Sequence, residues 1–525
     1  MRSVQYRRCL VAVLLLLVHT ACSRSHTLDQ QLTKGRVWPE PRFVNYKHVQ
    51  ITLDPTNFSF KVTAETCDII EEAIKRYSEV ISQAKEATLS TECDSPHSLH
   101  QLQLELTSPC QQWPDADMKE NYELHVNAES AVLKSGSVWG ILRGLETFSQ
   151  MLVPSKQQGC LVVNHTDILD YPRFSHRGLL LDTSRHYLPV SVILNILSGM
   201  EMNKMNVFHW HIVDDQSFPY QSTTFPNLSD NGAYDSKKAI YSQEVIKKII
   251  SFARMRGIRV LPEFDSPGHT QSWGKGTSKL LTACYVNGSF DGNFGPVDPS
   301  RQENYKFMAS LLTEVKNVFP SRYIHIGGDE VDYTCWKSNP AVQKFMKEKN
   351  LTTYEELEGY YIKEIINILD QIGINGIVWQ EVFVHNANLS KNTLVHIWNG
   401  NRTELLQAVT DNGLQALLSQ GWYLDHINDQ WQTFYQVDPT DFNGTQHQKE
   451  LVVGGEACMW GEMVDETNIV PRIWPRASAV AERLWSSEKI NNIEIAAPRL
   501  NEHVCRMKRR GVGAQPANGP GYCSY

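Results

Sequence analysis

From residue 171 onward the chain alternates short apolar runs with longer stretches whose apolar positions fall three and four apart, the periods of buried strands and one-faced helices. The runs at 178–182, 206–213, 258–264, 323–326, 376–379, 394–397, 415–418 and 451–453 predict eight strands. Between them, 190–204, 242–256, 302–318, 354–372, 404–412 and 476–485 predict helices. Such alternation predicts a parallel (β/α)8 TIM barrel, with a doubly wound open sheet as the alternative. A polar or aromatic side chain follows nearly every run, as at the C-terminal mouth of a barrel, and this favours the barrel. Before residue 171 the pattern is mixed. Residues 66–86 put Ile69, Ile70, Ala73, Ile74, Tyr77, Val80 and Ile81 on one helical face, 138–152 predict a second helix, and 102–106 and 122–126 alternate as half-buried strands. The expected fold class is α/β, a barrel over 169–525 preceded by a smaller α+β domain over 23–168. That first domain carries no chemical motif and reads as a packing or dimerisation module.

Arg7 and Arg8 precede an apolar run at 10–18 and then Ala21 and Cys22, predicting a secretory signal peptide over 1–22, too short to span a bilayer. Asn57, Asn164, Asn227, Asn287, Asn350, Asn388, Asn401 and Asn443 each open an Asn-X-Ser/Thr triplet. Together they predict passage through a glycosylating compartment, to the lysosome or out of the cell, with no integral membrane segment. Of eleven cysteines, Cys9 and Cys22 leave with the signal, so nine remain in an oxidising setting and one stays unpaired, for which buried Cys458 is the candidate. Cys67 with Cys110 and Cys93 with Cys160 are candidate staples of the first domain. Fifty basic against fifty-eight acidic residues, evenly spread, give no support for a nucleic-acid partner. No Cys-X2-Cys and no Gly-X-Gly-X-X-Gly occurs, so neither a structural zinc nor a dinucleotide cofactor is expected.

The chemistry centres on Tyr323-Ile-His-Ile-Gly-Gly-Asp-Glu330, a β-branched run, two glycines to turn the backbone, then adjacent carboxylates. Like charges this close disfavour joint ionisation, so one acid should hold its proton to higher pH, as acid catalysis needs. The plain alternative is a solvated loop with incidental acids. Against it, the other strand ends supply Arg185, Asp214, His269, Asp425 and Glu462 with Trp379, Trp398 and Trp460. Indoles stack on sugar faces while carboxylates and Arg bond hydroxyls, so the expected ligand is a carbohydrate. Two rivals remain: a barrel metallohydrolase using His209-X-His211 with His269, and an inactive sugar-binding module, against which both intact acids argue.

His325 to Glu330, Leu180-Leu-Asp-Thr-Ser-Arg-His-Tyr187, Asn206-Val-Phe-His-Trp-His-Ile-Val-Asp-Asp215, Glu263-Phe-Asp-Ser-Pro-Gly-His-Thr270 and Gly454-Gly-Glu-Ala-Cys-Met-Trp-Gly-Glu462 resemble the animal lysosomal β-hexosaminidases of glycoside hydrolase family 20. The resemblance covers nearly the whole chain after the signal. It implies cleavage of terminal non-reducing β-linked N-acetylglucosamine or N-acetylgalactosamine by a retaining, substrate-assisted route. It also implies Glu330 as general acid and Asp329 as the residue orienting the 2-acetamido group. Tyr423 would bond the attacking carbonyl, and Trp379, Trp398 and Trp460 would box in the sugar. Arg185, Glu462 and Asp425 would hold hydroxyls, with Asp214 and His269 poising Glu330. The same family implies Cys67–Cys110, Cys284–Cys335 and Cys505–Cys523, a pattern that leaves Cys93 and Cys160 outside. It implies a homodimer, or a heterodimer with a related subunit, in which the partner completes the pocket mouth. After Trp422-Tyr-Leu424 this chain has Asp425-His426 where the family's α-type subunit has Asn-Arg, a resemblance closer to the β-type that implies a preference for neutral sugars.

Overall fold

The computed structural model describes residues 35–83, 93, 98–128, 130–155, 159–385 and 389–523. The expected signal peptide and Asn388 lie outside them. A first sheet contains β1 (Phe43–Leu53), β2 (Ser59–Val62), β3 (Gln101–Leu106), β4 (Tyr122–Val126), β5 (Ala131–Ser135), β6 (Val153–Pro154) and β7 (Leu161–Asp170), in the order β1-β7-β4-β5-β3-β2 with β6 on β7. Alternate residues of β3, β4 and β5 are buried, as the two-residue period requires, beneath helices Asp68–Gln83 and Val138–Met151. The second helix is buried on every side because it lies between this sheet and the barrel. Its Arg143 donates to Glu120 (2.8 Å) and to the carbonyl of Gly257 (2.7 Å), and Arg177 of the barrel donates to the same Glu120 oxygen (2.6 Å). The long antiparallel pair β1–β7 was not singled out from sequence, since much of both strands is only half-buried and its alternation is polar-rich.

The barrel closes as β8 (His176–Asp182), β9 (Val207–Val213), β10 (Arg259–Phe264), β13 (Tyr323–His325), β14 (Asn375–Trp379), β15 (Leu394–Ile397), β16 (Gln415–Leu418) and β17 (Val452–Met459), all neighbours parallel. A hairpin of β11 (Leu281–Val286) and β12 (Ser289–Val297) is inserted after β10. Each predicted strand is found, but β17 runs six residues past the expected end at 453. Its continuation, Gly454-Gly-Glu456, lacks the apolar signature. At Gly454 (φ +146°) the backbone packs so close to β8 that a Cβ would stand 1.9 Å from the His176 carbonyl oxygen.

The barrel interior is ionic between two apolar layers. Val207, Leu261, Ile377, Leu394 and Leu417 fill one end, and Leu180, Trp379, Tyr423 and Cys458 the other. Between them His209 joins Glu456 (2.7 Å) and Glu263 (3.0 Å), and His176 joins Glu456 (2.5 Å). Residues 35–38 are tied to the helices that close the barrel: Trp38 donates its indole N–H to the Ser478 carbonyl (3.0 Å), and Glu502 of helix Ile493–Arg509 accepts from the Gly35 N–H (2.6 Å). Disulfides join Cys67–Cys110, Cys284–Cys335 and Cys505–Cys523, and also Cys93–Cys160, the pair the family pattern left out; Cys458 is free and buried. Among the described residues no helix is long and apolar enough to cross a membrane.

Candidate active site

At the C-terminal mouth the strands deliver their terminal side chains into a cavity of about 540 Å³ lined by Arg185, His211, Asp265, His269, Asp329, Glu330, Trp398, Tyr423, Asp425, Trp460 and Glu462, among others. The turn after β13 sets the acids. Gly327 and Gly328 adopt φ of +68° and +95°, and a Cβ on Gly327 would fall 1.6 Å from Asp265 Oδ1, the atom that accepts the Gly328 N–H (3.0 Å). Glu330 is itself left-handed at φ +50°. The adjacent carboxylates therefore diverge: Asp329 is buried with Oδ1 unpartnered, and the Glu330 side chain is 61% exposed.

His269 stands between them, its Nε2 3.9 Å from Asp329 Oδ2 and 3.8 Å from Glu330 Oε2, while Nδ1 bonds Asp214 Oδ1 (3.2 Å). Burial opposes its charge, but Asp265, the Asp214 hydrogen bond and Asp329 outweigh that and push it up to about 11. Burial and then Asp329 drive the Asp265 carboxyl well above the usual range, against the pull of His269. Adjacency predicted such an asymmetry within the Asp329–Glu330 pair, but Glu330 turns to solvent, and the close carboxylate neighbour inside the cavity is Asp265. Asp265, His269 and Asp329 bring potential ligand atoms within 4.8 Å of one another. The Nδ1 of His269 is already bonded to Asp214, so His269 does not offer both nitrogens to this cluster. Nor do His209 and His211 open together on the mouth: His209 lies inside the barrel, and both nitrogens of His211 meet carboxylates, Glu263 (2.8 Å) and Asp214 (2.7 Å).

Arg185 is pinned by Asp182 (2.8 Å) and Asp214 (2.8 Å), lies over the Trp460 ring (5.2 Å) and comes within 3.7 Å of Glu462. Asp214 is fully buried beneath the cavity and its carboxyl held low: burial opposes this, but the hydrogen bonds of His211 and His269 prevail. Trp398 and Tyr423 stack at 5.8 Å, and Tyr423 meets Trp460 at 6.4 Å. Trp379, expected on the wall with them, is instead a layer beneath. It is fully buried, 6.0 Å from Trp460, stacked on His396 at 4.3 Å and donating to Glu263 (2.9 Å). Asp425 presents a buried, unpartnered Oδ1. His426, 65% exposed, lies 3.8 Å from Asp429. Sequence reasoning assigned no role to Asp265 or Glu263, and gave His211 only a metal-ligand role in the metallohydrolase alternative, although Asp265 follows β10 directly and the acid-after-strand rule that found Asp214 also covers it. The sequons at Asn57, Asn227, Asn287, Asn350, Asn401 and Asn443 are exposed, and Asn164 is half-buried on β7.

A family profile described as "Glycosyl hydrolase family 20, catalytic domain" matches residues 174–488, and one described as "beta-acetyl hexosaminidase like" matches 37–151. The chain is similar to the β-hexosaminidase subunit alpha of Rattus norvegicus, 46% identical over 504 residues that cover 93% of this chain and 94% of that one. It is similar to the subunit beta of Homo sapiens, 47% identical over 501 residues that cover 93% and 90%. These identities do not separate the two subunit types. The fold superposes on the solved structure of a Flavobacterium johnsoniae chitobiase with a TM-score of 0.81, at 30% identity, covering 92% of this chain and 73% of that one.

Proposed function

The chain belongs to glycosyl hydrolase family 20, and from that premise we propose how the residues at its mouth divide the reaction. It is a β-N-acetylhexosaminidase that hydrolyses terminal, non-reducing β-linked N-acetylglucosamine and N-acetylgalactosamine with retention, the substrate's acetamide acting as nucleophile. Asp329 accepts the acetamide N–H on its unpartnered Oδ1, and Tyr423 donates to the carbonyl oxygen as that oxygen attacks C1. Glu330 protonates the departing glycosidic oxygen as the C1–O bond breaks, then takes a proton from the water that opens the bicyclic intermediate. Trp398 and Trp460 form the walls, with Trp379 backing Trp460. Arg185, Asp425 and Glu462 bind ring hydroxyls. Asp214 and His269 position Glu330 and Arg185 rather than touching the sugar. The observation that carries this reading is the divergence of the two acids, one buried with a free acceptor and one open to the leaving group.

We further propose secretory-route delivery to the lysosome or the exterior, residues 23–168 as a module supporting the barrel, and a dimer. The surface sequons support the first, and Met463, 76% exposed at the cavity rim, supports a partner at the mouth. Turnover of a chromogenic N-acetylglucosaminide beside the matching glucoside tests the mechanism. The glucoside should be inert, and a thiazoline mimic of the bicyclic intermediate should inhibit strongly. Comparable rates on both substrates, or a trapped glycosyl-enzyme ester, would refute it.

A further inference from the structure

Two residues that follow β14 grip the wall residue that follows β15. Gln380 Oε1 accepts the backbone N–H groups of Trp398 (2.9 Å) and Asn399 (3.1 Å), and its Nε2 donates to the Asn399 carbonyl (2.9 Å). Glu381 completes the grip on the side chain, both carboxylate oxygens standing 3.0 Å from Trp398 Nε1. Trp398 lines the cavity and stacks on Tyr423, whereas neither Gln380 nor Glu381 borders it. We propose that Glu381 is a positioning residue for the hexosaminidase reaction, locking the Trp398 indole so that its face closes the sugar site. This rests on the functional reading above.

An indole swings about two torsions, and a partly buried one is held by packing on one side only. The backbone bonds to Gln380 fix where Trp398 starts; the bond to Glu381 fixes how the ring is turned. The groups acting on Glu381 are Asp329 from the loop after β13, Trp398 from the end of β15, and His385 just beyond its own short helix. Burial, then the charge of Asp329, pushes its carboxyl up to about 7. In an acidic compartment it is thus a neutral acid, which a glutamine copies in shape and in accepting the indole N–H.

The test is a double-mutant cycle at positions 381 and 398, read in KM and kcat on a chromogenic N-acetylglucosaminide at about pH 4.5. Glu381→Leu should raise KM about 10-fold with a smaller change in kcat, the scale of one lost aromatic contact. In a Trp398→Phe background, which has no indole N–H to hold, the same change should cost nothing more. Glu381→Gln should stay within about 3-fold of wild type at about pH 4.5 and depart from it above about pH 7, where only the wild-type side chain ionises. Additive costs in the cycle, an unchanged KM in Glu381→Leu, or a Gln variant as impaired as the Leu variant would overturn the proposal. Thermal unfolding reports whether Glu381→Leu folds. If it does not, Glu381→Ala goes through the same cycle, and loss of fold in both overturns the positioning role in favour of a structural one. A wild type that fails to turn over the substrate removes the premise; an active wild type with additive variants overturns this proposal alone.

Discussion

Asp425→Asn isolates the expected charge selectivity at the sugar's outer hydroxyl. Asp425 lines the cavity with an unpartnered buried oxygen, and exposed Glu462 lines it too. A sulfate on the sugar's outer hydroxyl about 5 Å from the Asp425 carboxylate meets a repulsion of about 0.8 kcal/mol in bulk water and about 3 kcal/mol at an effective dielectric of about 20. Asp425 is neither fully exposed nor fully buried, so the expected bias against a 6-sulfated N-acetylglucosaminide lies between the corresponding limits, about 4-fold and about 160-fold in kcat/KM. The bias depends on pH in a definite sense. Burial raises the Asp425 carboxyl, so acidification protonates it before an ordinary aspartate and weakens the repulsion. His426 stands on the solvent side, 3.8 Å from Asp429. The assay is the ratio of kcat/KM for sulfated and plain substrates at about pH 4.5 and about pH 7. Wild type should disfavour the sulfate more strongly at the higher pH, and Asp425→Asn should recover most of the loss. A wild-type ratio near one at both values, or no gain in the Asn variant, would show that this carboxylate does not set charge selectivity.

Glu330→Gln should fold normally, since the side chain is mostly exposed, and lose at least ~10²-fold in turnover on a natural disaccharide with a poor leaving group; near-normal activity would remove Glu330 as proton donor. Gly327→Ala forces a Cβ into Asp265 and a left-handed backbone onto an L residue, a cost of at least about 1 kcal/mol, read as a lower Tm together with lost activity; an unchanged Tm would mean the turn relaxes freely. The ionic layer predicts a falling Tm on the alkaline side. Burial opposes charge on His209, but Glu456 and Glu263 lift it from 6.5 to about 9, so its contribution is full below about pH 6.5 and is lost as pH rises through about 9. Scanning calorimetry showing a flat Tm over that range would mean the His209–Glu456 pair is not charged.

The barrel was legible because parallel strands buried on both faces read as apolar runs, and each run broke at the residue that serves the mouth. β17 was the exception that shows the limit. Its middle trades apolar side chains for glycines that let β8 approach and for Glu456, which completes the ionic layer, and no local pattern announces either. The mouth residues were legible for the same reason as the strands, position after a run. What they touch was not. Trp379 and Trp398 end neighbouring strands and look equivalent in sequence, yet β14 aims its indole inward at Glu263 while Trp398 faces the cavity. The hairpin β11–β12 and the helix Ile493–Arg509 escaped notice because the first is exposed over much of its length and the second carries its apolar face between many charges.

The adjacent acids look self-defeating in sequence because two like charges share one turn. The structure separates their environments by backbone conformation: the left-handed Glu330 carries its carboxyl toward solvent while Asp329 stays inside. Burial and the nearness of Asp329 push the Asp265 carboxyl upward, so the crowding of acids inside the cavity falls on that pair. His269 then supplies the balancing charge, an imidazolium nearly equidistant from Asp329 and Glu330 and fixed by Asp214, which also holds Arg185. If Glu330 is the proton donor proposed above, His269 3.8 Å away is already in place to balance the carboxylate that forms. Preorganisation of that kind lowers a barrier without any movement at the moment of reaction. On that reading the buried ion network beneath the mouth acts through His269: Glu263 holds His211, His211 holds Asp214, and Asp214 fixes the imidazole that both acids face.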